Sequence, residues 1–181
     1  MSKRVLENLI IENEDFVVFG DLEITGNLII KNGHSLIVSG DLSIVVNQNN
    51  LSELNGHISA GMIRFKRGTS TSMLLSGDIF SAHNLHSHVV IICDDIDVQG
   101  DAFAHAPINC KNYMVNGNND SDSVTAIESI RILGSSDSYS LVAKTIHIEH
   151  EANLNSSCLI ASESAYIGGS INDCGHLTVK N

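Results

Sequence analysis

The feature that most constrains this chain is a short motif. Two apolar residues are separated by one position, one further residue follows, and then comes Gly, usually with Asp or Asn after it. Ile96, Val98, Gly100 and Asp101 form one copy. Further copies begin at Phe16, Leu22, Leu36, Met73, Tyr113 and Ile130. A motif that returns this often indicates a repeat architecture, in which each unit packs chiefly on its neighbours.

The glycines of the motif set the length of the repeat. In the second half of the chain they fall on a 17-residue grid that only Glu151 interrupts. The members of this grid are Gly100, Gly117, Gly134 and Gly168. Gly20 and Gly40 lie 20 residues apart, so the earlier repeats are slightly longer. Within a repeat, apolar pairs recur about every six residues, and alternation with a period of two is typical of a strand with one buried face.

This spacing predicts an all-β fold, a right-handed parallel β-helix (solenoid) of about nine short triangular coils. The Gly-Asp or Gly-Asn step supplies the corners, because these residues tolerate the left-handed backbone conformation that a sharp bend requires. A left-handed β-helix is the alternative. In that fold Gly or Ala directly follows the inward aliphatic residue and the coils hold about 18 residues. Here Gly follows two positions later, and the coils vary in length from 17 to 20 residues or more.

Composition limits the partners that the chain can take. The net charge of −11 argues against nucleic acid and against an anionic membrane surface. No apolar run approaches the ~20 residues of a membrane span, and residues 1–16 lack the apolar stretch of a signal peptide. The four cysteines show no CxxC spacing. These observations predict a cytoplasmic protein with no membrane span.

The two ends of the chain differ in pattern. Residues 1–15 are predicted to form an N-terminal cap segment, because four apolar residues there have helical spacing. They are Val5, Leu6, Leu9 and Ile10. Residues 16–181 are predicted to form the β-helix domain. Its last coil carries Leu177 and Val179 without a capping segment after it, so we expect this end to pair with another copy of the chain.

Two polar stretches interrupt the apolar alternation. Residues 46–52 and residues 116–123 are rich in Asn and Ser. Such stretches are typical of surface insertions, so both are predicted to be loops that leave the tube.

The run Gly20-Asp21-Leu22-Glu23-Ile24-Thr25-Gly26-Asn27-Leu28 and the Gly-Asp-aliphatic steps at 40–42, 77–79 and 100–102 carry a family resemblance. From Phe16 onward the chain resembles bactofilins, the polymer-forming bacterial cytoskeletal proteins. The resemblance implies a rigid rod that associates through its ends without a nucleotide. The coils here are less regular than in that family.

Histidines supply the weak candidates for a metal site. His83, His86 and His88 form the densest group, and the 17-residue grid places His88 over His105. Two imidazoles one strand spacing apart suit zinc or nickel. No Asp, Glu or Cys at a fixed spacing completes a tetrahedral set, so neither a metal nor another cofactor is predicted. The alternative interpretation is a solvent-facing row of histidines.

Cysteines and carboxylates offer two further candidates. Cys93 and Cys110 are 17 residues apart and are predicted to stack inside the tube as buried free thiols. Their separation would also suit a disulfide. Cys158 is predicted to point inward as well. The carboxylates Asp78, Asp94, Asp95, Asp97 and Asp101 invite a carbohydrate-active enzyme reading, but the turn role of several of them already accounts for their presence.

The functional hypothesis is a non-catalytic structural or assembly module that forms homo-oligomers through its ends. The first alternative is a module that binds a protein or glycan along one flat face or with its loops. The second alternative is a carbohydrate-active β-helix enzyme, which would need a groove with converging carboxylates and a basic residue.

Overall fold

The structure, a computed structural model, describes residues 3–47, 54–149 and 153–179. The secondary structure of these residues is all β. The strands are β1 (Arg4–Leu6), β2 (Leu9–Ile11), β3 (Phe16–Val18), β4 (Leu22–Ile24), β5 (Leu28–Val46), β6 (Leu54–Arg67), β7 (Ser72–Leu74), β8 (Ile79–Ser81), β9 (Leu85–Ser87), β10 (Val90–Ile92), β11 (Asp95–Val98), β12 (Ala102–Ala104), β13 (Ile108–Val115), β14 (Asn119–Ile132), β15 (Ser136–Ile148), β16 (Asn153–Ile167) and β17 (Ser170–Val179). Within the three described ranges there is no helix with the length and apolar character needed to cross a membrane.

The strands wind around a common axis, each one pairing in parallel with the strand one turn further along. β1 pairs with β4, and β2 and β3 pair with successive parts of β5. The solenoid has three faces. We call the face that begins with β1 face A, the face that begins with β2 face B and the face that begins with β3 face C. We call each turn of the chain a level. Long strands bend around the corners, so that β14 contributes to all three faces. The result is a parallel β-solenoid of about nine turns, as predicted. Its right-handed course stays a prediction.

The core is a set of columns of aliphatic side chains that run along the axis. Val98 pairs with Val115, and Val115 pairs with Ile132, one level at a time on face C. All three are buried, which confirms that the periodic apolar residues share one interior. Full burial of such a side chain stabilises the fold by about 1.5–3 kcal/mol, so these columns are the main favourable term.

Asp and Asn side chains form a ladder of their own at the corner between faces C and A. Oδ1 of Asp101 accepts the backbone N–H of Asn118 at 2.7 Å. Oδ1 of Asn118 in turn accepts the N–H of Ser135 at 2.9 Å. Each corner side chain therefore satisfies a backbone donor on the next level, which is a second reason for Asp or Asn after the glycine.

The corner glycines are required for two different reasons. The expected left-handed conformation occurs at Gly20 (φ 108°), but the corner glycine Gly117 does not adopt it. At Gly117 an added Cβ would lie 2.6 Å from the carbonyl oxygen of Gly100, one level away. The expectation of a left-handed bend at every corner was therefore wrong, because most of these glycines serve to let adjacent coils approach closely.

The N-terminal segment belongs to the solenoid. The helical spacing of Val5, Leu6, Leu9 and Ile10 does not produce a helix, because these residues lie in β1 and β2. β1 pairs with β4 and β2 pairs with β5, so the segment forms the first level of faces A and B. The hydrogen-bonding groups of the next level therefore determine its conformation, and the apolar spacing does not.

The polar stretch 116–123 does not leave the tube as a loop. Its second half is the start of β14, and Asn119 and Ser121 are buried inside the solenoid. Nδ2 of Asn119 donates to the hydroxyls of Ser121 at 2.9 Å and of Ser136 at 3.1 Å. The prediction was wrong because polar residues that hydrogen-bond to one another can occupy inward positions. In the other stretch, Val46 ends β5, and residues 48–52 lie outside the described residues.

The cysteines differ in burial. Cys93 and Cys110 are buried free thiols on adjacent levels, as predicted. Cys158 was predicted to be inward but is half-buried, because Ser156 takes the inward position and Cys158 lies at the following bend.

Candidate functional site

The first level of the solenoid closes over its own core. Among its inward residues, Leu9, Ile11 and Val18 are only 7%, 2% and 5% exposed, and Leu6 and Phe16 are partly buried. Arg4 and Phe16 lie in register with the buried core residues Leu22 and Leu36 of the next level. The guanidinium of Arg4 lies over the ring of Phe16, 5.5 Å from its centroid. A charged group thus covers the apolar end and presents a polar surface to water.

The last described level leaves its core open. Ile171 lies in register with buried Leu154, and Leu177 lies in register with buried Leu159, so both occupy inward columns. Yet Ile171, Leu177 and Val179 are 46%, 50% and 44% exposed. Ala165, Ile167 and Cys174 are partly buried beside them. We call this set of six residues the open end. Leu177 and Val179, singled out from the sequence, belong to it.

Face A carries two outward rows of polar and aromatic side chains. The first row runs Arg64, His86, Phe103, Asp120 and Asp137, each residue in register with the next. The second row lies two residues further along each strand, at Lys66, His88, His105, Asp122 and Tyr139. Cationic and imidazole groups thus occupy the levels nearer the N-terminus, and carboxylates occupy those nearer the C-terminus.

The structure brings three of the four candidate histidines to face A. The rings of His88 and His105 stack with centroids 5.0 Å apart, as the 17-residue grid predicted. His86 stacks on Phe103 at 4.9 Å. His83 is exposed at the corner before face A. No three His, Cys, Asp or Glu side chains within residues 3–47, 54–149 and 153–179 are arranged to hold a metal ion.

The electrostatic environment of His86 lowers its pKa. Partial burial is the largest cause, followed by the positive charge of Arg64 and the neighbouring imidazoles His88 and His105. His86 is therefore neutral at pH 7, although an acceptor placed against it would favour the protonated form.

Sequence reasoning missed the acidic half of face A. Tyr139 is 68% exposed and stands between two concave regions of about 450 and 340 Å³. Both regions include Asp137, and the smaller one also includes Asp120 and Asp122. A signal was present, because Asp120 and Asp137 are 17 residues apart, and so are Asp122 and Tyr139.

Four of the five carboxylates considered for catalysis, those of Asp78, Asp95, Asp97 and Asp101, accept hydrogen bonds within the solenoid wall. Oδ1 of Asp78 accepts the N–H of Asp95 at 3.1 Å, and Oδ1 of Asp95 accepts Nδ2 of Asn112 at 2.9 Å. Oδ1 of Asp97 accepts Nε2 of Gln99 at 2.6 Å. These contacts join side chains along the solenoid wall, which agrees with the turn role expected from the sequence.

The fold defines the class of this protein as a parallel β-solenoid. Comparison with protein-family models, with curated proteins and with solved structures found no match. The open end and face A are therefore the two surfaces from which a function can be argued.

Proposed function

We propose that this protein is a structural module that self-associates through its open end, two copies meeting with their last levels in contact. The observation that supports the proposal is the difference between the ends. Leu9, Ile11 and Val18 of the first level are 2–7% exposed, whereas Ile171, Leu177 and Val179 of the open end are 44–50% exposed. Exposed apolar residues at the end of an otherwise buried column lose contact with water when a second column is placed on them.

The difference also favours one kind of contact. Joining the open end to the first level would place Leu177 and Val179 over Leu9 and Ile11, which are already buried, and Ile171 on the side that Arg4 covers. Joining two open ends places apolar residues on both sides. A contact in which the same patch is used twice closes on itself, so the product is a dimer of doubled length. The resemblance to bactofilins also implies association through an end. A cytoplasmic location of the protein is part of the same proposal.

The test compares substitutions at the two ends. The double variant Leu177→Glu/Val179→Glu places charges in the contact, and Val5→Glu/Ile10→Glu is the matched control at exposed positions of the first level. Size-exclusion chromatography with light scattering at tens of micromolar is expected to return dimers for the wild type and the control, and monomers for the first variant. A strictly monomeric wild type, or equal losses in both variants, would contradict the proposal.

Electron microscopy distinguishes the closed contact from an open one. With about nine turns at ~4.8 Å per turn, one molecule is roughly 43 Å long. Particles of about twice that length support the contact between two open ends. Continuous filaments one molecule wide would show that the open end meets the first level, and would overturn the closed arrangement.

A further inference from the structure

Face A divides into two halves of opposite character. Arg64, Lys66, His86 and His88 occupy the two levels before Phe103 and His105. The two levels after them carry Asp120, Asp122, Asp137 and Tyr139. Within the described residues, no ion pair or hydrogen bond joins these aspartates to a cation, whereas Arg64 pairs with Asp41 and Lys66 pairs with Glu23. The basic half of face A on one copy can therefore face the acidic half of face A on a second copy that lies antiparallel to the first.

We propose that face A is a lateral contact between two copies of this chain, paired antiparallel about a two-fold axis that runs parallel to the strands at the level of Phe103 and His105. This contact is separate from the open end and goes beyond the proposed end-to-end association. The axis brings His86 opposite the partner's Asp120 and His88 opposite the partner's Asp122. It brings Phe103 and His105 opposite the same residues of the partner.

The outer levels of the same arrangement are also complementary. Arg64 faces the partner's Asp137, and Lys66 faces the partner's Tyr139, where an ammonium group over an aromatic ring is favourable. Glu23 lies opposite the partner's Asp173, but Lys3 and Lys66 already neutralise Glu23. The existing ion pairs of Arg64 and Lys66 are at the surface, where such pairs stabilise only weakly, so they do not oppose the new contacts strongly.

Protonation of the histidines controls this contact. The titratable and charged groups around His86 and His88 are Glu23, Asp41, Arg64, Lys66, His83, Asp101, His105, Asp120 and Asp122. In one copy, burial and the neighbouring Arg64 lower the pKa of His86. A carboxylate of the partner opposite His86 raises that pKa again, so the pair binds more protons than two separate copies do. The pair is then favoured as the pH falls.

The first test measures self-association in the Leu177→Glu background, which removes the open-end contact. Sedimentation equilibrium at pH 7.5 and pH 5.5 is expected to show a dissociation constant at least about tenfold lower at pH 5.5. His86→Gln/His88→Gln is expected to abolish that change. The control is His34→Gln/His57→Gln, which removes the same number of histidines elsewhere and is expected to keep it.

The control matters because the net charge itself changes with pH. The chain has a net charge of −11 with its 9 histidines neutral and −2 with all of them protonated (−11 + 9). If general loss of repulsion caused the pH effect, both double variants would keep it to the same extent, and that result would overturn the proposal. Circular dichroism establishes that each variant is folded.

The second test pairs two charge-altered variants at pH 7.5. His86→Asp/His88→Asp makes face A uniformly acidic, and Asp120→Lys/Asp122→Lys makes it uniformly basic around the axis. Both are made in the Leu177→Glu background. Each variant alone is expected to be monomeric, and an equal mixture is expected to form a heterodimer. A monomeric mixture would overturn the antiparallel contact, and binding of the wild-type face to a glycan or another protein instead would reassign the face to that ligand.

Discussion

The phenolic oxygen of Tyr113 donates a hydrogen bond of 2.8 Å to Oδ1 of Asn119 inside the solenoid. Both residues are about 1% exposed. Burial, with a smaller contribution from Cys110, raises the pKa of Tyr113, so its hydroxyl remains a donor at any ordinary pH. Asn119 also donates to Ser121 and Ser136, and it thereby connects the largest inward side chain to a short polar column.

Loss of this hydrogen bond is expected to leave a buried polar atom without a partner. Asn119→Ala and Tyr113→Phe should each lower the free energy of unfolding by about 1–3 kcal/mol. Urea denaturation measures both, and the double variant should lose less than the sum of the two, because the residues are in direct contact. Asn155→Ala, at an outward position of face A, is the control and should change stability by no more than about 0.5 kcal/mol. Full additivity would contradict the coupling.

Glycines that allow close approach of the coils and glycines with a left-handed backbone should differ in how much stability an added side chain costs. Gly117→Ala places a Cβ 2.6 Å from the carbonyl oxygen of Gly100, so the coils must separate and the variant should lose about 1–3 kcal/mol of stability. Gly33 has a φ of 75° and open space around its Cα. Gly33→Asn should therefore change stability by less than about 1 kcal/mol, because Asn tolerates the left-handed region. Thermal unfolding of the two variants tests this, and equal losses would contradict the distinction.

The contribution of Glu23 to the stability of the fold should depend on pH. Hydrogen bonds from Lys3 and Lys66 lower its pKa below the model-compound value of 4.5. A carboxyl whose pKa is lower in the folded state stabilises the fold above its unfolded pKa, and that contribution is lost as the pH falls through the folded pKa. Glu23→Gln should therefore be destabilising at pH 7 and neutral near pH 2. Chemical denaturation at both pH values measures this, with Glu14→Gln as an exposed control. An equal effect at both pH values would point to lost packing instead.

The cysteines should separate into two reactivity classes. Burial raises the pKa of Cys110 to about 12 and raises that of Cys93 further, so neither forms thiolate at pH 8. Cys158 and Cys174 are half-buried. At a protein concentration too low for dimers, a thiol reagent followed by peptide mass mapping is expected to modify Cys158 and Cys174 in the folded protein, and all four only after denaturation. Rapid modification of Cys93 in the folded state would show that the tube opens there.

Much of the fold could be predicted from the chain alone, because a solenoid repeats one local pattern. The alternation around Ile96 and Val98 and the 17-residue interval were enough to predict that Val98 stacks on Val115, since each level makes the same contacts as the previous one. The same interval predicted the stacking of His88 on His105. Periodicity determines which residues share a column and which face of a strand is buried.

Only the tertiary structure decided which inward positions hold polar residues and what covers the ends of the columns. Residues 116–123 appeared to be a loop, because Asn119 and Ser121 are polar, and their hydrogen bonds to other inward residues exist only once the coils are stacked. The helical spacing of Val5 to Ile10 was overridden by pairing with β4 and β5. The contrast between the first level and the open end, and the charge division of face A, likewise depend on which residues become neighbours across levels. Composition determined that aliphatic side chains fill the interior. Contacts between levels determined where that interior ends.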